Sequence, residues 1–206
     1  MKIAVFCGSS DGEPGQGYPS IAFQLGEQLA ANGHELVYGG AHVGLMGAVA
    51  DGALSKGGRV TGVLPHKLAD RELAHPELTE LRLVEDMHER KALMSDLADA
   101  FIAMPGGVGT YEELFEVWCW AQLGIHHKPC ALYNVHGFYD KLVEFLDHAT
   151  EQQFVRPQYR DMLIVSDSAT EIIDSFTTYQ PPAEKWRDSS EQTANVDINQ
   201  DKEGRI

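Results

Sequence analysis

Residues 99–113, DAFIAMPGGVGTYEE, carry the pattern best suited to chemistry: an apolar run stops at Pro105, turns through Gly106, Gly107 and Gly109, and restarts at Thr110 as a helix. Glycines let a backbone turn tightly and approach a ligand with no Cβ in the way. A helix that starts there aims its unpaired N–H groups and the positive end of its dipole back at the loop. Gly106, Gly107, Val108, Gly109 and Thr110 therefore read as a cradle for the phosphate of a nucleotide. A blander reading stands beside it, because Thr110 and Glu113 also spell a capping box, in which both side chains merely satisfy backbone donors at a helix start. The spacing is not the G-x-G-x-x-G of dinucleotide-binding folds, and a lone GGxG is a weak signal.

A second anomaly lies upstream. Arg90 falls on the same helical face as Leu93, Met94 and Leu97, the face that should turn to the core. It also sits early in its helix, at the unfavourable end of the dipole for a cation. Placed there it can emerge at the edge of a sheet and meet a phosphate or a carboxylate with its planar fork, or it can snorkel past the apolar stripe to solvent. Lys91, about 100° further round the helix, offers a second positive charge. His88 has no H-E-x-x-H spacing or cysteine pair near it, so it reads as a polar contact and no metal site is expected.

These residues need elements to position them, and the chain has room for one well-buried domain: 206 residues, 43% hydrophobic. A formal net charge of −15 argues against a nucleic-acid or anionic-membrane partner, both of which are held through lysine and arginine clusters. Cys7, Cys119 and Cys130 are an odd number in apolar contexts, so they read as buried small hydrophobes in a reducing compartment. No apolar run approaches the ~20 residues of a membrane span, and the first apolar run is too short for a signal sequence. The expectation is a cytoplasmic protein.

Strands are predicted at Ile3–Cys7, Glu35–Tyr38, Val60–Leu64, Leu81–Val84, in the apolar run before Pro105, at Cys130–Val135 and at Leu163–Val165. Helices are predicted at Ile21–Ala31, Leu45–Ser55, Met87–Ala98, Tyr111–Leu123, Tyr139–Gln152 and Ala169–Tyr179, with Asp86 and Glu89 as a capping box for the third. The stretch 66–79 has no period and reads as a loop. Strand and helix alternate throughout, which implies an α/β, Rossmann-like, doubly wound and largely parallel sheet of seven strands over residues 1–180. From Pro181 to Ile206 the composition turns polar and reads as a flexible tail.

In such sheets ligands bind beyond the carboxyl ends of the strands. Three of those ends carry permissive turns here: Gly8 with Ser9 and Ser10, Gly39 with Gly40, and Gly106 to Thr110.

The segments GLMG (44–47), DMHERK (86–91), PGGVGTYEE (105–113) and WAQLGIHHKP (120–129) together resemble the LONELY GUY family of cytokinin-riboside-monophosphate phosphoribohydrolases, whose signature is PGGxGTxxE. The resemblance runs from Met1 to about Tyr179. It implies a homodimeric Rossmann-like hydrolase that cuts the N-glycosidic bond of an adenosine 5′-monophosphate, plain or N6-substituted, without metal or organic cofactor. It places the catalytic arginine and glutamate on Arg90 and Glu113, and further nucleotide contacts on Glu72, Lys91 and the turn Gly107 to Thr110. Ala41 stands where members often have a third glycine, and Cys119 where the plant enzymes have a threonine near the ligand. Proteins of this kind have also been labelled lysine decarboxylases, yet nothing here marks a lysine for a pyridoxal phosphate Schiff base. Cleavage of an N-glycosidic bond develops positive charge on the sugar, which a carboxylate such as Glu113 would stabilise. Two other classes compete with this enzyme: a non-catalytic nucleotide sensor or carrier on the same fold, and an interaction protein using the aromatic stripe around Trp118 and Trp120.

Overall fold

The computed structural model describes residues 1–69 and 73–182. Seven short apolar runs form the strands β1 (Lys2–Phe6), β2 (Glu35–Tyr38), β3 (Val60–Pro65), β4 (Glu80–Val84), β5 (Ala100–Ala103), β6 (Cys130–Tyr133) and β7 (Leu163–Ser166). They lie in the order β4-β3-β2-β1-β5-β6-β7, and every pairing is parallel. Chain direction across the sheet reverses at β1, which has β2 on one side and β5 on the other. That reversal opens a crevice beyond the carboxyl ends of β1 and β5.

The helices are α1 (Tyr18–Ala31), α2 (Gly44–Ser55), α3 (His66–Ala69), α4 (Met87–Leu97), α5 (Val108–Gln122), α6 (Asp140–Glu151), α7 (Pro157–Arg160) and α8 (Ala169–Thr178). Alternate side chains of β1 serve two cores, as a sheet buried on both faces requires. Ile3 and Val5 pack with Leu25, Val49 and Ile172, from α1, α2 and α8. Ala4 and Phe6 pack with Met94, Leu114, Trp118 and Leu146, from α4, α5 and α6. The predicted stripe Leu114, Val117, Trp118, Ala121 is buried, and the Trp118 indole N–H donates to the Tyr159 carbonyl at 3.0 Å. The aromatic residue at 118 is thus core and not an exposed partner surface.

Three features depart from the sequence reading. The stretch after β3 is not wholly irregular: it holds α3, and on its return Ala74 makes an antiparallel bridge with Ala41. Helix α5 starts at Val108, with Gly107 as its N-cap, so Thr110 and Glu113 lie inside the helix and form no capping box. Cys7 and Cys130 are buried as expected, but Cys119 is exposed on α5. The expected flexible tail falls outside the described residues from 183 onward.

Candidate active site

The start of α4 is fixed by its cap. Asp86 Oδ1 accepts from the backbone N–H groups of His88 and Glu89 at 2.8 and 2.9 Å. Glu89 reaches back as a capping-box residue does, although its carboxylate accepts from Glu85 N–H at 2.8 Å, one residue beyond the cap itself. The backbone bonds hold the Asp86 carboxyl below its ordinary range, so the cap is ionised at neutral pH. A helix started there, directly after β4, carries Arg90 over the carboxyl edge of the sheet.

Arg90 is buried and does not snorkel. Its Nε donates to the Val63 carbonyl at 3.1 Å, and its Nη1 lies 3.3 Å from Glu113 Oε1, with both side chains only 10% exposed. Nη2 fills the space where a side chain at position 39 would begin, so any Cβ there would have to displace the guanidinium. Gly39 therefore serves the site by making room for the guanidinium. Glu113 enters from one and a half turns inside α5. Burial raises its pKa above the usual carboxylate value, and the Arg90 charge opposes that shift. The result is a desolvated carboxyl group beside a guanidinium, with the Lys91 charge also acting on it.

A cavity of about 370 Å³ opens beside this pair, a volume that fits a small-molecule ligand. Its polar lining comes from Arg90, Glu112, Glu113 and the start of α5 at Gly107, Val108, Gly109 and Thr110, with Gly8 and Ser9 from the turn after β1. Its apolar lining comes from Ala41, Val43, Met46, Leu64, Leu68, Leu73 and Met87. Every wall comes from the carboxyl side of the sheet. The positive end of the α5 dipole faces this space, as an anionic group requires.

The predicted residues divide as follows. Ser9, Gly39, Arg90, Gly107, Val108, Gly109, Thr110 and Glu113 share the cavity wall. Gly106 belongs to an adjoining cavity of about 410 Å³ on the side of Tyr18 and Phe138. Gly40 is not in the wall; it turns the chain in the left-handed region, φ +80°, and its carbonyl accepts from His75 N–H at 3.0 Å. Lys91 is not in the wall either: its Nζ is held by Glu112 and, at 3.1 Å, by Glu116. Glu72 lies outside the described residues. Cys119, expected near the ligand, is not in the wall, whereas Ala41 is. Two wall residues with chemistry that the sequence reading missed are Glu112 and Cys7, the latter in the apolar run before Gly8. Burial, with the Glu113 charge added, pushes its thiol pKa far up, so it stays protonated and is no nucleophile.

A family model described as "Possible lysine decarboxylase" matches residues 46–176. The chain is 45% identical to the cytokinin riboside 5′-monophosphate phosphoribohydrolase LOG1 of Arabidopsis thaliana, covering 89% of this chain and 86% of that one. It is 50% identical to the cytokinin riboside 5′-monophosphate phosphoribohydrolase of Rhodococcoides fascians, covering 80% and 83%. Solved structures share the fold at lower identity. A molybdenum cofactor binding protein from Rippkaea orientalis aligns with TM-score 0.66 and 21% identity over 86% of this chain and 95% of that one. The molybdenum cofactor carrier protein of Chlamydomonas reinhardtii aligns with TM-score 0.64 and 19% identity over 86% and 96%. The identity to the two phosphoribohydrolases is more than twice that shared with these structural neighbours, and the chain belongs to the LONELY GUY (LOG) family of cytokinin riboside 5′-monophosphate phosphoribohydrolases.

Proposed function

We propose that the chain hydrolyses the N-glycosidic bond of adenosine 5′-monophosphate or an N6-substituted counterpart, giving free base and ribose 5-phosphate. The observation that carries this reading is the buried Arg90–Glu113 pair set beside the N-terminus of α5 in one cavity. In the reaction water adds its oxygen to C1′, the C1′–N9 bond breaks, and the base leaves with the bonding pair and takes up a proton. Positive charge grows on the sugar as the bond breaks. A carboxylate held out of water acts on that charge far more strongly than one in solvent. Glu113 takes this role, with the Arg90 charge favouring its ionised form. The backbone donors at Gly107 to Thr110 hold the 5′-phosphate, whose remote binding energy orients the sugar. The apolar side chains among the cavity lining support a base with an apolar N6 group.

Decarboxylation through a lysine Schiff base is the poorer reading, because that chemistry needs a neutral amine. Burial alone would lower the Lys91 pKa, but its bonds to Glu112 and Glu116 outweigh burial and raise it. The reading further takes the protein as a cytoplasmic homodimer that needs no metal or organic cofactor and binds neither nucleic acid nor membrane. The net charge of −15 supports the last part, and among the described residues no helix is long and apolar enough to cross a membrane. The free cysteines Cys7, Cys119 and Cys130 support a reducing compartment.

Product chromatography on a panel of nucleoside 5′-monophosphates tests the proposal. Release of adenine or an N6-substituted adenine together with ribose 5-phosphate is expected. Tight binding with no base released from any of them would favour a nucleotide carrier.

A further inference from the structure

Beside the cavity, His42, Asp51 and His75 bring three ligand-type atoms within 4.8 Å of one another. A bound metal ion is the first idea such a set suggests, and the far side of His75 speaks against it. Its Nδ1 accepts from Glu77 N–H at 3.1 Å, which places the ring proton on Nε2, facing Asp51 Oδ1 at 2.9 Å. A ligating histidine needs the reverse: a lone pair toward the metal and a proton on the other nitrogen, given to an acceptor. His75 is instead a donor whose two nitrogens are both satisfied, with a side chain only 1% exposed.

We propose that His75 and Asp51 are positioning residues for the N-glycosidic hydrolysis, clasping the wall of the cavity that receives the base; this rests on the function proposed above. The chain returning from α3 is tied to the loop after β2 by two backbone bonds. His42 N–H donates to the Leu73 carbonyl at 2.8 Å, and His75 N–H donates to the Gly40 carbonyl at 3.0 Å. The His75–Asp51 bond then fastens this two-stranded strip to α2, and His42 flanks it with Nε2 3.4 Å from Asp51 Oδ2. Ala41, Val43 and Leu73, on or next to the strip, are in the cavity wall. Backbone bonds alone leave a two-residue bridge free to shift. A part-buried side-chain bond to α2 holds it in place.

Asp51 is the residue to change, since its side chain is 43% exposed and its loss leaves the core intact. Asp51→Ala removes the acceptor, whereas Asp51→Asn retains an oxygen that accepts from His75. Affinity for AMP, by calorimetry and as KM, and affinity for ribose 5-phosphate, by calorimetry, are measured for wild type and both variants. Asp51→Ala is expected to weaken AMP by up to about tenfold, the upper end of what one hydrogen bond contributes, with kcat within about threefold. Ribose 5-phosphate, which does not reach the base wall, should bind as before, and Asp51→Asn should behave as wild type. Unchanged AMP affinity in Asp51→Ala, equal weakening of AMP and ribose 5-phosphate, or an Asp51→Asn variant as poor as Asp51→Ala would overturn the clasp. A wild-type protein that binds AMP without cleaving it would refute the hydrolase reading alone, and the clasp would still be decided by the affinities.

Discussion

In the proposed hydrolysis Glu113 is the residue on which the chemistry turns, and its burial has consequences for pH. The active form in that reaction is the carboxylate, and burial raises its pKa above the ordinary glutamate value. The kcat/KM profile should therefore fall on the acid side with a midpoint above that of an ordinary glutamate, a limb that reports the free enzyme. Stability carries the same signature with a definite sign. A carboxyl with a raised folded pKa contributes stability that is complete below its unfolded value and is lost as pH rises through the folded one. Wild type should lose stability relative to Glu113→Gln across that window in thermal melts, and a constant difference between the two would show that Glu113 titrates normally. Arg90 was legible in the sequence as a cation on an apolar helical face, because side-chain direction follows from helical spacing. For Glu113 the spacing alone left a cap and an interior turn open, and only the family resemblance gave it a catalytic part. The start of α5 at Val108 removes the cap.

Elements place these residues, and Gly39 shows how closely. It ends β2 where Arg90 Nη2 needs the volume that a Cβ would take. Gly39→Ala should displace the guanidinium from both Val63 and Glu113, so turnover is expected to fall by at least about tenfold, as small misplacements at catalytic groups do. The fold should survive, because the sheet ladders around β2 are untouched. Gly39→Ala turnover within twofold of wild type in a steady-state assay would mean that the guanidinium has slack. The glycine was visible as a permissive turn, but its purpose was not, because the group it admits comes from α4. The His75–Asp51 clasp was hidden for a related reason: its members come from α2 and from a stretch that reads as irregular. By contrast the capping box at Asp86 and Glu89 is local and could be read directly, apart from the one-residue reach to Glu85.

At the scale of the whole molecule, alternating strands and helices dictate a parallel sheet, and the parallel sheet dictates where a ligand sits. The reversal at β1 brings loops from five strands to one crevice, so residues far apart in sequence meet there. That convergence was legible as a rule of topology. The apolar lining of the cavity was not, since single residues such as Met46, Leu64 and Leu68 look like ordinary core. An anionic substrate approaching a chain of net charge −15 must rely on local positive potential, from Arg90 and the α5 terminus, and not on long-range steering. In the proposed reaction the 5′-phosphate is thus the anchor, and Glu113 the group that acts on the sugar. The most direct test is base release from AMP and from adenosine by wild type and Glu113→Gln, each checked for AMP binding and melting temperature. The expected result is release from AMP with adenosine nearly untouched, and a Glu113→Gln protein that folds and binds AMP yet is slower by about 100-fold or more. Equal rates on AMP and adenosine, or a Glu113→Gln protein that cleaves AMP at near the wild-type rate, would contradict it.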